Sequence, residues 1–182
     1  MEKLGVVELF RIIREDWECH ASIGEGRYTP GFRAVAVHRF GVWLRDLRFR
    51  PVRAILIRFQ RFMYRYIRNY YGIELHPSSI VGRRLVIGHQ SGIVIRARIG
   101  NDCVVRQNVT IGGSSLKRAD EIPTLGNGVH IGCGVAIVGD VTIGDNARIG
   151  PNAVVMSDVP AGATVFASAP RVVQLPQERK LG

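Results

Sequence analysis

Residues 75–111 read LHPSSIVGRRLVIGHQSGIVIRARIGNDCVVRQNVTI, and every sixth position is a branched aliphatic: Leu75, Val81, Ile87, Ile93, Ile99, Val105 and Ile111. The series slips by two residues and resumes at Leu125, Ile131, Ile137, Ile143, Ile149 and Val155. Four residues after each comes a second set, Ser79, Leu85, Ser91, Ala97, Cys103, Val109, then Val129, Val135, Val141, Ala147, Ala153 and Val159. All of these except Leu85 are small or β-branched. A period of six matches neither the 3.6 of a helix nor the alternation of a half-buried strand. It predicts a solenoid of very short strands, in which each hexad is one flat face of a coil and its aliphatic points inward.

Three hexads close one triangular coil, so the solenoid expected over 72–166 holds about five coils. Glycines such as Gly82, Gly100, Gly126 and Gly144 directly follow inward aliphatics and mark the corners. The slip after Ile111 forces residues 112–124, GGSSLKRADEIPT, out of the wall as an extruded loop. Loops thrown from a rigid scaffold commonly carry function. Residues 167–182 are expected to form a tail that closes the open end of the coil. A triangular prism offers flat faces for lateral packing, which predicts a homotrimer or a dimer of such trimers.

Residues 1–71 lack hexads and read as a small α-helical region. Leu9, Phe10, Ile12, Ile13 and Trp17 form an apolar stripe within 6–20. Gly24, Gly26, Pro30 and Gly31 then break the chain. A second helix is expected over 32–48, through Ala34, Val37, Phe40, Trp43 and Leu44. A third follows Pro51, over 52–70, with Ile55, Phe59, Phe62, Met63, Tyr66 and Ile67 facing inward as core or subunit contact.

The 182 residues carry a net charge of +10, concentrated between Arg45 and Arg68, where eight arginines face one acid, Asp46. Such a field attracts anions: nucleic acid, phosphorylated substrates or an acidic membrane surface. The alternative is a solvated helix face. Nucleic-acid binding is not expected, because the aromatics stand at helical spacing without a stacking sheet. No run of about eighteen apolar residues predicts a transmembrane helix, and the N-terminus does not read as a signal peptide. Cys19, Cys103 and Cys133 lack C-x-x-C spacing, and a cytoplasmic setting is the expectation.

Among five histidines, His20 and His38 fall on helices, His76 beside Pro77 suits a corner, and His130 points out of the wall. His89 stands apart, in I87-G88-H89-Q90-S91-G92, where small neighbours leave room for a ligand. Glu74 lies fifteen residues earlier, nearly one coil, which is expected to bring the two side chains onto neighbouring rungs. A carboxylate that orients an imidazole, which in turn takes a proton from an alcohol, is general-base chemistry. The alternative is a corner histidine with a satisfied hydrogen bond. Metal is not expected, since only His89 and His130 suit a wall site. No phosphate-binding loop, nucleophile elbow or dinucleotide fingerprint occurs.

The segments E74-L-H-P-S-S-I-V-G-R-R-L-V-I-G-H89, V109-T-I-G-G and V129-H-I-G-C-G-V-A-I-V-G-D resemble the bacterial serine acetyltransferases. These are hexapeptide-repeat acyltransferases with a left-handed parallel β-helix. The resemblance implies that His89 is the general base and that Glu74 stands in for its aspartate partner. It further implies acetyl-CoA as co-substrate, lying between subunits along Thr110, Gly112, Gly113, Gly134 and Ala136, with Arg171 near a C-terminal turn. That turn departs from the family's Gly-x-Pro-Ala and reads Ala167-Ser168-Ala169-Pro170.

The acceptor side departs further. Gly88 replaces an aspartate before the base, and Glu121-Ile122-Pro123 replaces an Arg-His-Pro in the loop. The C-terminal Lys180-Leu181-Gly182 also lacks the terminal isoleucine with which the family docks onto its sulfhydrylase partner. The pattern looks closest to short relatives of polysaccharide synthesis. The expected activity is therefore acetyl transfer to a sugar hydroxyl, with peripheral membrane contact through the basic helix 52–70. The alternatives are a serine O-acetyltransferase of cysteine biosynthesis and a non-catalytic solenoid scaffold.

Overall fold

The computed structural model describes residues 5–22, 29–114 and 121–169. Three helices come first: α1 (Val6–Ser22), α2 (Pro30–Asp46) and α3 (Arg50–Tyr71). The α2 start is set locally, by a Thr29 hydroxyl accepting from the Phe32 amide at 3.2 Å and by Pro30 in the first turn. Helix α3 ends at Gly72, whose left-handed φ of 65° a Cβ would oppose. The third helix does not bury the side expected of it. Ile67 is buried, but Ile55, Phe59, Phe62 and Tyr66 are exposed. The solenoid contacts only a narrow strip of this helix. Likewise α1 buries Leu9, Asp16 and His20 and leaves Phe10 exposed.

A left-handed parallel β-helix follows. Its first wall stacks β1 (Ile73–Leu75), β4 (Ile93–Ile95), β7 (Thr110–Gly112), β10 (Ala136–Val138) and β13 (Val154–Val155). The second stacks β2 (Ile80–Val81), β5 (Arg98–Ile99), β8 (Thr124–Leu125) and β11 (Thr142–Ile143). The third stacks β3 (Val86–Ile87), β6 (Val104–Val105), β9 (His130–Ile131), β12 (Arg148–Ile149) and β14 (Thr164–Val165). Inward aliphatics pile into columns, Ile87 on Val105 on Ile131 on Ile149, and form one continuous core. Their removal from water is the main stabilising term.

One column is not the one the hexads predict. In the first wall, Leu75 stacks on Ile95, and Ile95 on Ile111; Ile93 stacks on Ile73 instead. Two extra residues sit in the corner after Ile87, and two fewer in the corner after Ile95. The two changes cancel, so the sequence phase passes through unbroken. His89 lies in the enlarged corner.

The helices cap the open end of the solenoid. Strand β3 has no coil before it, and its Ile87 amide donates to His20 Nε2 at 3.1 Å. His20 Nδ1 lies 2.6 Å from the Asp16 carbonyl, which fixes the neutral tautomer with the proton on Nδ1. Arg39 closes β2 in the same way, donating to the carbonyls of Val81 and Gly82 and to the buried Asp16 carboxylate at 2.9 Å. Burial pushes the Asp16 carboxyl up, against the pull of Arg39. Gly31 lets α2 touch β3, since a Cβ there would stand 1.9 Å from the Ile87 carbonyl oxygen.

Candidate active site

The corner holding His89 is irregular because three residues adopt left-handed φ: His89 at 63°, Ser91 at 89° and Gly92 at 67°. It is nevertheless pinned from both sides. The Ile93 amide donates to the Gly72 carbonyl at 3.0 Å, and the Ser91 carbonyl accepts from the Asn108 amide at 3.1 Å. A Cβ on Gly92 would meet Asn108 Oδ1 at 2.3 Å, so glycine leaves room for the Asn108 side chain of the next coil. Gly88 is buried, whereas His89 is exposed. The imidazole is thus exposed on a corner held by backbone hydrogen bonds on both sides.

Glu74 lies on the outward face of β1, half-buried, and its register partner on the next coil is Val94. The first coil is twenty residues long at this column (Glu74 to Val94), so His89 sits on the corner leading into the coil above Glu74. Among the described residues, the hydrogen bond to Glu74 Oε1 comes from the Tyr64 hydroxyl, at 3.2 Å. Burial and the adjacent Glu74 charge push the Tyr64 phenol up to about 12, so it stays a donor at neutral pH.

The coenzyme residues implied by the family fall on this same wall. Val94, Thr110, Ala136 and Val154 continue the outward column that Glu74 begins. Gly134 has φ of 71° and donates to the Gln107 carbonyl at 3.1 Å, on the corner ridge that starts at His89. At the opposite edge, Gly112 accepts from the Gly139 amide at 3.0 Å, and Gly113 leads into the loop. The wall thus has His89 at one corner and the glycine turn at the other. Glu121 is half-buried and Ile122 buried where the loop rejoins the second wall at Pro123, whose carbonyl accepts from the Arg98 amide at 2.9 Å. Arg171 lies outside the described residues.

Tyr64 is the residue that sequence reasoning missed, hidden among arginines in a helix read as packing. It lines a cavity of about 370 Å³ with His38, Arg45, Gln60, Arg61 and Leu75, between α2, α3 and β1. His76 is a turn-fixing residue, its Nδ1 accepting from the Ser78 amide at 3.2 Å. Among the described residues, no group of three or more His, Cys, Asp or Glu side chains is arranged to hold a metal.

Residues 123–156 match the family described as bacterial transferase hexapeptide (six repeats). The chain is 36% identical over 167 residues to a serine acetyltransferase of Helicobacter pylori, covering 91% of this chain and 94% of that protein. The chain belongs to the serine acetyltransferase family. A serine acetyltransferase of Synechococcus elongatus is likewise 36% identical, over 146 residues, but there the match covers 79% of this chain and 57% of that protein. Among solved structures, the Brucella abortus serine acetyltransferase in complex with coenzyme A superposes with a TM-score of 0.76 at 25% identity. That match covers 92% of this chain and 68% of the other. The chain thus spans a short serine acetyltransferase almost entirely and little more than half of a long one.

Proposed function

We propose that this chain transfers the acetyl group of acetyl-CoA to the hydroxyl of L-serine. The observation that carries this reading is the near end-to-end match to a short serine acetyltransferase. The gathering of the His89 corner, Glu74, Thr110 and Ala136 on one wall supports it. In the mechanism, His89 removes the proton from the serine hydroxyl as its oxygen attacks the thioester carbonyl. Collapse of the tetrahedral adduct breaks the C–S bond, and the imidazolium returns its proton to the coenzyme thiolate. Glu74 holds negative charge near the imidazolium, and a backbone N–H of the wall, or of the Gly112–Gly113 turn of an adjacent subunit, holds the oxyanion. The coenzyme lies between the walls of adjacent subunits of a cytoplasmic homotrimer, alone or paired into a hexamer.

The sugar hydroxyl expected from the sequence finds no support among the relatives, which carry the serine acetyltransferase name. It remains a second reading on one observation, the uncharged Gly88 and the acidic Glu121 where the family clamps its acceptor. Family membership likewise weighs against a silent scaffold. Release of coenzyme A thiol with L-serine, compared with nucleotide-sugar and glycan acceptors, tests the assignment. Turnover on glycans with none on serine would reverse it.

A further inference from the structure

Helix α3 presents a second apolar face that the fold leaves uncovered. Val52, Ile55, Phe59, Phe62, Tyr66 and Tyr70 recur every three or four residues, which places them on one stripe, and each is between 41% and 71% exposed. Ile67 and Tyr71, on a different side, make the contact with the core. Arg58 and Arg65 border the stripe, Arg61 and Arg68 lie farther round the helix, and α3 contains no acidic residue. Among the described residues, none of these four forms an ion pair with a carboxylate. The acids of α1 are engaged elsewhere, Glu8 and Glu15 with Arg83, and Glu18 with Arg14.

We propose that α3 docks this protein onto an anionic lipid surface, with the stripe sunk among the acyl chains and the arginines on the headgroup phosphates. Aromatic and aliphatic side chains flanked by arginine are the composition of a helix lying in the membrane interface. Charge selects the occupant. A second copy of the same helix would bring two acid-free arginine rows together, whereas an anionic leaflet neutralises them. The mode is peripheral, since no described helix is long and apolar enough to cross a membrane. The proposal stands independently of which acceptor is used.

Flotation of the full chain with vesicles tests it. Retention is expected on phosphatidylcholine containing about 30% phosphatidylglycerol at about 0.1 M salt, with little on phosphatidylcholine alone and a decline as salt rises. Phe59→Glu with Phe62→Glu, and separately Arg58→Gln with Arg65→Gln, should each weaken retention by about tenfold or more. The arginine set guards against misfolding of the first pair, and both should keep the wild-type melting temperature. Variants that float as well as wild type overturn the proposal, as does equal retention on neutral vesicles. So does a wild type that ignores vesicles and whose oligomer falls apart on Phe59→Glu with Phe62→Glu, which would make the stripe a contact between copies.

Discussion

The Tyr64 hydroxyl donates to Glu74 Oε1 at 3.2 Å, tying the last helix before the solenoid to the carboxylate on the first rung of the first wall. Tyr64→Phe should lower kcat roughly tenfold, from the loss of one hydrogen bond to a charged group. Because Tyr64 acts through Glu74, its loss should cost little more once Glu74→Gln is in place. Steady-state kinetics of the single and double variants checks both, and simply additive losses would make Tyr64 merely structural.

His89→Ala should reduce turnover by roughly 10²–10⁴ while leaving the melting temperature near wild type, because the side chain is exposed. Thiol release and a thermal melt on the same preparation suffice. Turnover at the wild-type level would remove His89 as the base.

Gly31→Ala should destabilise the protein by about 1–3 kcal/mol or more, since its Cβ would meet the Ile87 carbonyl oxygen at 1.9 Å and backbone cannot yield as a side chain does. Gly5→Ala, with nothing within 4 Å of the added carbon, is the matched control and should be near neutral. Urea denaturation of the pair measures the difference.

His38 gives stability a pH dependence of known sign. Burial, then the charges of Arg39 and Arg45, lower its pKa from 6.5 to about 4, so the unfolded chain binds the proton first. This contribution is complete above pH 6.5 and is lost as the pH falls towards 4, amounting to about 3 kcal/mol. The raised Asp16 carboxyl acts in the opposite sense over an adjoining range, so the comparison is wild type against His38→Leu. The variant should show the shallower decline from pH 6.5 to 4 in denaturant midpoints.

Asp16→Asn should cost about 3–5 kcal/mol, because it leaves the Arg39 guanidinium, 6% exposed, buried without its carboxylate. Chemical denaturation measures the loss. An effect near zero would mean that the Val81 and Gly82 carbonyls alone satisfy Arg39.

The six-residue period alone determined the solenoid, its corners and the departure of the chain after Ile111, because each inward aliphatic is dictated by the same local geometry. His89 was legible for a related reason: small residues flank it within one turn. Its relation to Glu74 was not. Two extra residues before Ile95 and two fewer after it cancel in the hexad count, and only the pairing of Ile95 with Leu75 and Ile111 exposes them. The helical region was legible in its elements and not in its faces. Periodicity shows that α3 has an apolar stripe, but not whether anything covers it. Nor does local sequence show that Asp16, His20 and Arg39 would be buried as caps on open strand edges. Those assignments depend on unpaired amides and carbonyls of a coil that exists only once the chain has folded, and tertiary structure alone decided them.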